Sequence, residues 1–298
     1  MDMIVKDDEI AEVFAPFVQE RLEPDDPKWE GIVVEAAKRQ RGLRLRRQML
    51  GWLGLFRRTQ RSIESNYSHQ WASTPLETQL RSAKPSAFEW RGKGLLAYAP
   101  GRKKLHQRLL IRAIDRLRPQ TALEVGCGNG LNLFLLAARF PQIQFSGIEL
   151  TRGGVEAAGK ICALPEIPEV IKDFAVEPLR DLKAHRRVGI QRANAAALPY
   201  DSKSVDLVFT VLALEQMEEV RNRVLAEISR VAKRYVVMIE PFRDWNAEGI
   251  RRDYIVSQDY FSAWIADLKP FGLQPVFSFS DIPNKLTFAV GLVIAEVL

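Results

Sequence analysis

The apolar positions change rhythm near residue 93. From there to the carboxyl end, short runs rich in β-branched and aromatic residues alternate with longer runs of helical period, the order that builds a parallel sheet with helices on both faces. Leu109, Leu110, Ala113, Ile114 and Leu117 share one face of a helix over Lys103–Leu117. Strands are predicted at Ala122–Val125, Gln144–Leu150, Gly189–Ala193, Val205–Val211 and Tyr235–Ile239. Helices are predicted at Leu131–Arg139, from near Gly153, and where Val220, Val224, Leu225, Ile228 and Val231 line one face. The last stretch should hold a helix over Tyr260–Leu268, then an antiparallel pair, Leu273–Ser278 and Leu286–Val297, around Pro283. The expected fold class is α/β: a mostly parallel seven-stranded sheet with an antiparallel last strand.

Residues 1–92 read differently. Their helical texture is interrupted by Pro16, Pro24, Pro27, Pro75 and Pro85, which predicts an extension of short helices and loops with no sheet. Residues 93–298 form the catalytic candidate, with an insertion near 165–188 marked by Pro165, Pro168 and Pro178.

Charge adds one feature. The formal net charge is only +6, but Lys38, Arg39, Arg41, Arg44, Arg46, Arg47, Arg57, Arg58 and Arg61 fall within 37–62 with no acid among them. Met49, Trp52, Leu53 and Phe56 align on one helical face of that segment. Such a helix can dock on the catalytic part, lie on an anionic membrane surface or grip nucleic acid. No apolar run is long enough to span a bilayer. The acidic start, Met1–Ile10, lacks the basic and apolar order of a secretory leader, so a cytoplasmic protein is expected, with docking of 37–62 on the catalytic part favoured over peripheral membrane contact. Two cysteines and three histidines, His69, His106 and His185, offer no zinc spacing, and the histidines read as surface or capping residues.

The chemistry concentrates at Glu124-Val125-Gly126-Cys127-Gly128-Asn129-Gly130. Glycines two apart let the backbone pass close beneath a ligand and adopt positive φ. Glu149 follows Gly130 by 19 residues, at the end of the next strand, where an acid can hold both hydroxyls of a ribose. An adenosine-containing cofactor is the consequence. A dinucleotide fingerprint wants G-x-G-x-x-G, but Leu131 occupies the third glycine's place and the spacing is G-x-G-x-G.

That spacing, in TALEVGCGNG (Thr121–Gly130), resembles motif I of the class I S-adenosylmethionine-dependent methyltransferases. The resemblance continues through GIEL (Gly147–Leu150), ALPYDSKSVDLVFTVLALEQM (Ala197–Met217) and EISRVAKRYVVMIEP (Glu227–Pro241), and it is similar to methyltransferase domains of the ubiquinone-biosynthesis type. It implies a Rossmann-like fold and S-adenosylmethionine as cofactor. It implies that Glu124 anchors the turn and reaches towards the methionine amino group, and that Glu149 holds the ribose. Asn194 stands where relatives often carry an adenine-side Asp. Gly126, Cys127, Gly128, Gly130, Asn132, Leu150, Ala195 and Leu212 complete the implied cofactor site. Gln216 stands where relatives often place a His.

Methyl transfer is an in-line displacement, for which positioning supplies much of the rate. Where the acceptor must lose a proton, Glu215 and Glu240 are the candidate bases, Glu240 reading equally as a structural acid. Tyr67 and Trp71 can close over the cofactor as an amino-terminal lid or serve as core anchors. Cys127 reads as a small filler. The favoured acceptor is a small or lipid-type molecule. A methyltransferase of RNA or protein, and a non-catalytic cofactor-binding protein, remain open as alternatives. The N-P-P-[YF] signature of amino methylation is replaced by Thr210-Val211-Leu212-Ala213, which makes nucleic acid less favoured.

Overall fold

The computed structural model describes residues 5–52, 59–74, 76–81 and 84–298. Elements follow in the order α1 (Asp7–Phe14), β1 (Val18–Leu22), α2 (Pro27–Trp52), α3 (Gln60–Ser73), α4 (Leu76–Leu80), β2 (Ser86–Trp90), β3 (Lys93–Ala97), α5 (Pro100–Leu117) and β4 (Thr121–Val125). Then come α6 (Leu131–Arg139), β5 (Gln144–Glu149), α7 (Arg152–Cys162), α8 (Glu169–Phe174), β6 (Gly189–Arg192), β7 (Val205–Val211), α9 (Arg221–Val231) and β8 (Ala232–Glu240). The chain ends with α10 (Gly249–Gln258), β9 (Leu273–Phe279), β10 (Asn284–Lys285) and β11 (Gly291–Val297).

The large sheet runs β6-β5-β4-β7-β8-β11-β9, with β6 through β8 parallel and β11 antiparallel to both neighbours. Its strands are covered on both sides, which is why they read as near-continuous apolar runs. Ala122 packs with Leu109, Ile114 and Phe134 on one face, while Leu123 and Val125 pack with Val224, Leu225 and Ile228 of α9 on the other. Because β4 is central, its carboxyl end opens in the middle of the sheet, beside the order reversal where ligands of such sheets bind.

Three expectations need correction. The extension is mainly helical, but it also contributes strands to a second sheet, β1-β3-β2-β10, that the proline pattern concealed. Arg91 and Gly92, both at positive φ (51° and 77°), make the two-residue turn that joins β2 to β3. The helix expected over Tyr260–Leu268 forms only in its second half, within a 3₁₀ helix over Ile265–Phe271. Phe261 and Ala263 are buried alternately along an extended segment, a period of two. A further helix, α10, precedes it, buries only Ile255 fully and stops where Asp259 turns left-handed (φ 57°). Finally, the strand expected from Leu286 begins at Gly291. The buried amides of Asn246 and Asn284 take over the backbone groups before it: Ala289 N–H donates to Asn246 Oδ1 (3.0 Å) and Val290 N–H to Asn284 Oδ1 (2.7 Å).

The basic segment has two faces. One docks on α10, with ion pairs Arg44–Asp253 (2.7 Å) and Arg47–Asp259 (2.8 Å). The other carries Val34, Leu45, Met49 and Trp52 into solvent, the last two 71% and 88% exposed. Leu53 and Phe56, expected on this face, lie outside the described residues. No described helix is long and apolar enough to cross a membrane.

Candidate active site

The β4–α6 turn is pinned to the neighbouring strand, since the N–H groups of Gly126 and Cys127 both donate to Ile148 O (2.9 and 3.0 Å). Gly126, Gly128 and Gly130 all have positive φ (78°, 55° and 80°), which L residues with side chains avoid. Gly130 caps α6 and does not border the cavity described below; a Cβ there would come within 2.8 Å of Ile190 and Phe134. A Cβ on Gly128 would come within 2.7 Å of the Trp71 ring.

Two acids flank the turn. Glu149, 7% exposed, accepts from Gly128 N–H (3.0 Å) through Oε2 and from the N–H and hydroxyl of Thr151 (2.9 and 2.7 Å) through Oε1. It is thus ordered by the backbone it supports. Glu124 accepts from Asn132 Nδ2 (2.7 Å) through Oε1, while its buried Oε2 meets no donor. Burial pushes the Glu124 carboxyl up to about 8, opposed by the Asn132 hydrogen bond and assisted by the charge of Glu149. Burial also pushes the Cys127 thiol upward, which leaves it protonated and inert, a filler as the sequence suggests.

A cavity of about 420 Å³ opens above these groups, within the range of small-molecule sites. Of the implied cofactor residues it brings together Glu124, Gly126, Cys127, Gly128, Asn132, Glu149, Leu150, Asn194, Ala195 and Leu212, all but Gly130. Asn194 is oriented by its own turn, Oδ1 accepting from Ala196 N–H (2.9 Å).

Leu212 has φ 52°, a strained conformation for a leucine. Glu240 explains why it persists. Its Oε1 accepts from the N–H groups of Ala213 and Leu214 (2.9 and 3.1 Å), and Leu212 N–H donates to Ile239 O (3.0 Å). Glu240 is fully buried, does not border the cavity, and has its carboxyl pushed up to about 8 by burial and by Glu215. Of the two sequence candidates for proton removal, only Glu215 borders the cavity, beside Gln216, whose Nε2 donates to it (2.8 Å).

The helix α3 crosses the opening. Tyr67 and Trp71 both border the cavity, as do Gln60, Ile63 and Gln70. Its position is fixed by Gly153 N–H donating to Ser68 Oγ (3.0 Å) and by Gln60 N–H donating to Glu219 Oε2 (3.0 Å). Close approach requires glycine at 153, where a Cβ would meet Ser68 O at 2.1 Å.

Four contributors were missed from sequence. Lys103, His106 and Gln107 of α5 border the cavity, and so does Phe174 from the insertion. His106, expected at the surface, is 3% exposed with Nε2 unpartnered; burial first, then Arg102 and Lys103, push its pKa well down, keeping the imidazole neutral. Its position in the same helical pattern as Leu109 and Ala113 was the available signal. His185 is also buried, its Nε2 3.1 Å from Leu164 O, and ties the insertion together. Among the described residues no group of side chains could hold a metal ion.

The donor set fits S-adenosylmethionine. Glu124 offers an unmet carboxylate oxygen to an ammonium, Glu149 a carboxylate to ribose hydroxyls, and the glycine turn a bare backbone between them.

Residues 123–239 match the family described as a methyltransferase domain. Solved structures of similar shape include the [4+2]-cyclase SpnF (TM-score 0.53, 17% identity, covering 80% of this chain and 96% of that one). Others are the geranyl diphosphate C-methyltransferase of Streptomyces coelicolor A3(2) (0.48, 11%, 79% and 98%) and the magnesium protoporphyrin IX methyltransferase of Synechocystis PCC 6803 (0.45, 12%, 65% and 84%). No curated protein matches. The likeness to SpnF shows a shared fold, and the family match coincides with the strands and turns that build the cofactor site. Over residues 123–239 the chain carries a methyltransferase domain, of the S-adenosylmethionine-dependent kind that its glycine turn and flanking acids fit.

Proposed function

We propose that the chain methylates a small or lipid-type acceptor that enters the cavity beside Glu215 and His106. The observation that carries this reading is the cover formed by α3: a cavity crossed by a docked helix admits a small molecule, whereas a folded RNA or a protein surface needs an open groove. None of the basic residues between Lys38 and Arg47 borders the cavity, which argues against a grip on nucleic acid. In this reading residues 1–92 form the acceptor-side cover of a catalytic domain spanning 93–298.

The bound cofactor supplies an electrophilic methyl group on sulfur. Glu124, Glu149, Asn194 and the glycine turn would hold it, with Leu150, Ala195, Leu212 and Trp71 lining the same cavity. Glu215 is placed to take a proton from the acceptor, with neutral His106 on the same wall. The test uses methyl-labelled cofactor with an extract of the native cell. Label should enter the solvent-extractable small-molecule fraction; label in acid-precipitated protein or RNA would reverse the choice of acceptor. Calorimetry should show S-adenosylmethionine and its demethylated product binding and NAD not.

The cytoplasmic face of a membrane is the proposed location. The open face of α2 sets Leu45, Met49 and Trp52 among Lys38, Arg39, Arg41 and Arg46, an amphipathic basic surface suited to anionic lipid. Flotation with anionic vesicles should carry the protein, and the double variant Met49→Ser with Trp52→Ser should lose it. Equal flotation of both proteins removes the membrane contact.

A further inference from the structure

A second polar cluster adjoins Glu215, outside the cofactor-binding set. Arg102, in the first turn of α5, has its Nε and Nη1 atoms shut off from solvent with no acceptor for either. Its guanidinium stands 5.8 Å from the centre of the Phe288 ring. Phe288, Tyr254 and Tyr260 pack edge to face on one another, with centroids 5.5 to 5.9 Å apart. Lys285 of β10 completes the group. Burial and the charge of Arg102 hold its pKa down to about 8, while Glu215 opposes them.

The charges do not balance. Arg102 and Lys285 are both within electrostatic reach of Glu215, one carboxylate for two cations. Tyr254 has its phenol pushed upward by burial, so it supplies hydroxyl and ring but no charge. A guanidinium closed off with unused N–H groups is costly unless an anion meets it, and its fork suits the paired oxygens of carboxylate or phosphate. A cation–π contact with Phe288 offsets part of that cost and leaves the N–H groups unused.

We propose that Arg102 and Lys285, walled by Tyr254, Tyr260 and Phe288, receive a compact oxyanion of the methyl acceptor, a carboxylate or a phosphate, and so hold its reacting end beside Glu215. This rests on the small-acceptor reading above.

The experiment titrates inorganic phosphate, phenyl phosphate and benzoate into the full chain saturated with S-adenosylhomocysteine, and compares wild type with Arg102→Gln, Lys285→Met and Arg102→Lys. Wild type should bind at least one class of probe. Arg102→Gln should weaken that probe at least tenfold and Lys285→Met severalfold, with Arg102→Lys recovering part of the loss and S-adenosylhomocysteine affinity within twofold throughout. Phosphates binding without benzoate assigns a phosphorylated acceptor, and the reverse a carboxylate. Absence of binding by all three probes, or binding indifferent to Arg102→Gln in a variant that melts like wild type, overturns the proposal. Failure of the chain to bind S-adenosylhomocysteine overturns the underlying reading instead, and is measured separately.

Discussion

The two halves of the cavity are built by different rules. The cofactor half comes from consecutive strand ends, β4, β5, β6 and β7, so each of its residues sits within a few positions of a strand terminus. The other half is assembled from α3, the start of α5, Phe174 in the insertion and the 3₁₀ turn at Glu215. Local sequence order fixes the first, and long-range packing fixes the second. The first half should therefore fail sharply when one residue changes, while changes in the second should alter affinity or selectivity and leave the fold intact.

The largest effect is expected at Glu149. Its carboxylate supports the turn and, in the proposed site, would hold the ribose, so Glu149→Ala should remove two charge-assisted bonds to the cofactor and orphan Gly128 N–H. At roughly 1.5 kcal/mol or more per bond, affinity for S-adenosylhomocysteine should fall about a hundredfold. A loss of less than threefold by calorimetry would mean that the ribose is held elsewhere. Gly128 is a poorer probe, because a side chain there meets Trp71 whether or not cofactor is bound.

Glu240 sharpens the comparison from the side of stability. Removing it leaves the Ala213 and Leu214 N–H groups unmet beneath a strained Leu212, so Glu240→Ala should cost about 3 kcal/mol and lower Tm by roughly 8 °C. Its folded pKa, about 8, lies above that of a carboxyl in the unfolded chain, about 4.3. The folded state therefore holds the extra proton across that window. The stability contributed by this group falls as pH rises through it and is constant above. Glu240→Gln keeps the acceptor oxygen and should flatten that decline in melting experiments; an unchanged slope would show that Glu240 titrates normally.

Trp71 tests the second half where it touches the first. Trp71→Ala opens the cover above Gly128, and cofactor should dissociate about tenfold faster at nearly unchanged thermal stability, the scale of roughly 1.4 kcal/mol. Stopped-flow displacement measures it, and an unaltered rate would make α3 a bystander.

Legibility followed the same division. TALEVGCGNG and Glu149 could be read because strand, glycine turn and acid carry their geometry in their spacing. The α9 face was readable for the same reason, all of its positions being buried as the period required. His106 was hidden inside a helical pattern that looks like core packing, and Lys285 in a loop just before the expected strand at Leu286. Glu240 could not be separated from a base by its place at a strand end, since only the path of the 212–214 turn decides what its carboxylate meets. In the second sheet β1 pairs with the distant β3, and β2 with β10 nearly 200 residues on, while the local β2–β3 hairpin was masked by the proline pattern.

The smallest effect isolates Glu124, the residue on which both halves depend least for folding. With the carboxyl pushed up to about 8, it is mostly protonated at neutral pH, and an arriving ammonium favours the ionised form. Cofactor binding should therefore release a proton. The apparent Kd should fall about fivefold between pH 7 and 8, as the protonated fraction that must be emptied declines. The α-amino group of the cofactor titrates in the same range and works in the opposite direction, so the informative comparison is with Glu124→Gln, which keeps the Asn132 contact and cannot ionise. In that variant the rise in affinity with pH should vanish and leave only the decline due to the ligand. Identical pH profiles for the two proteins, together with equal proton release in buffers of different ionisation heat, would place the ammonium away from Glu124.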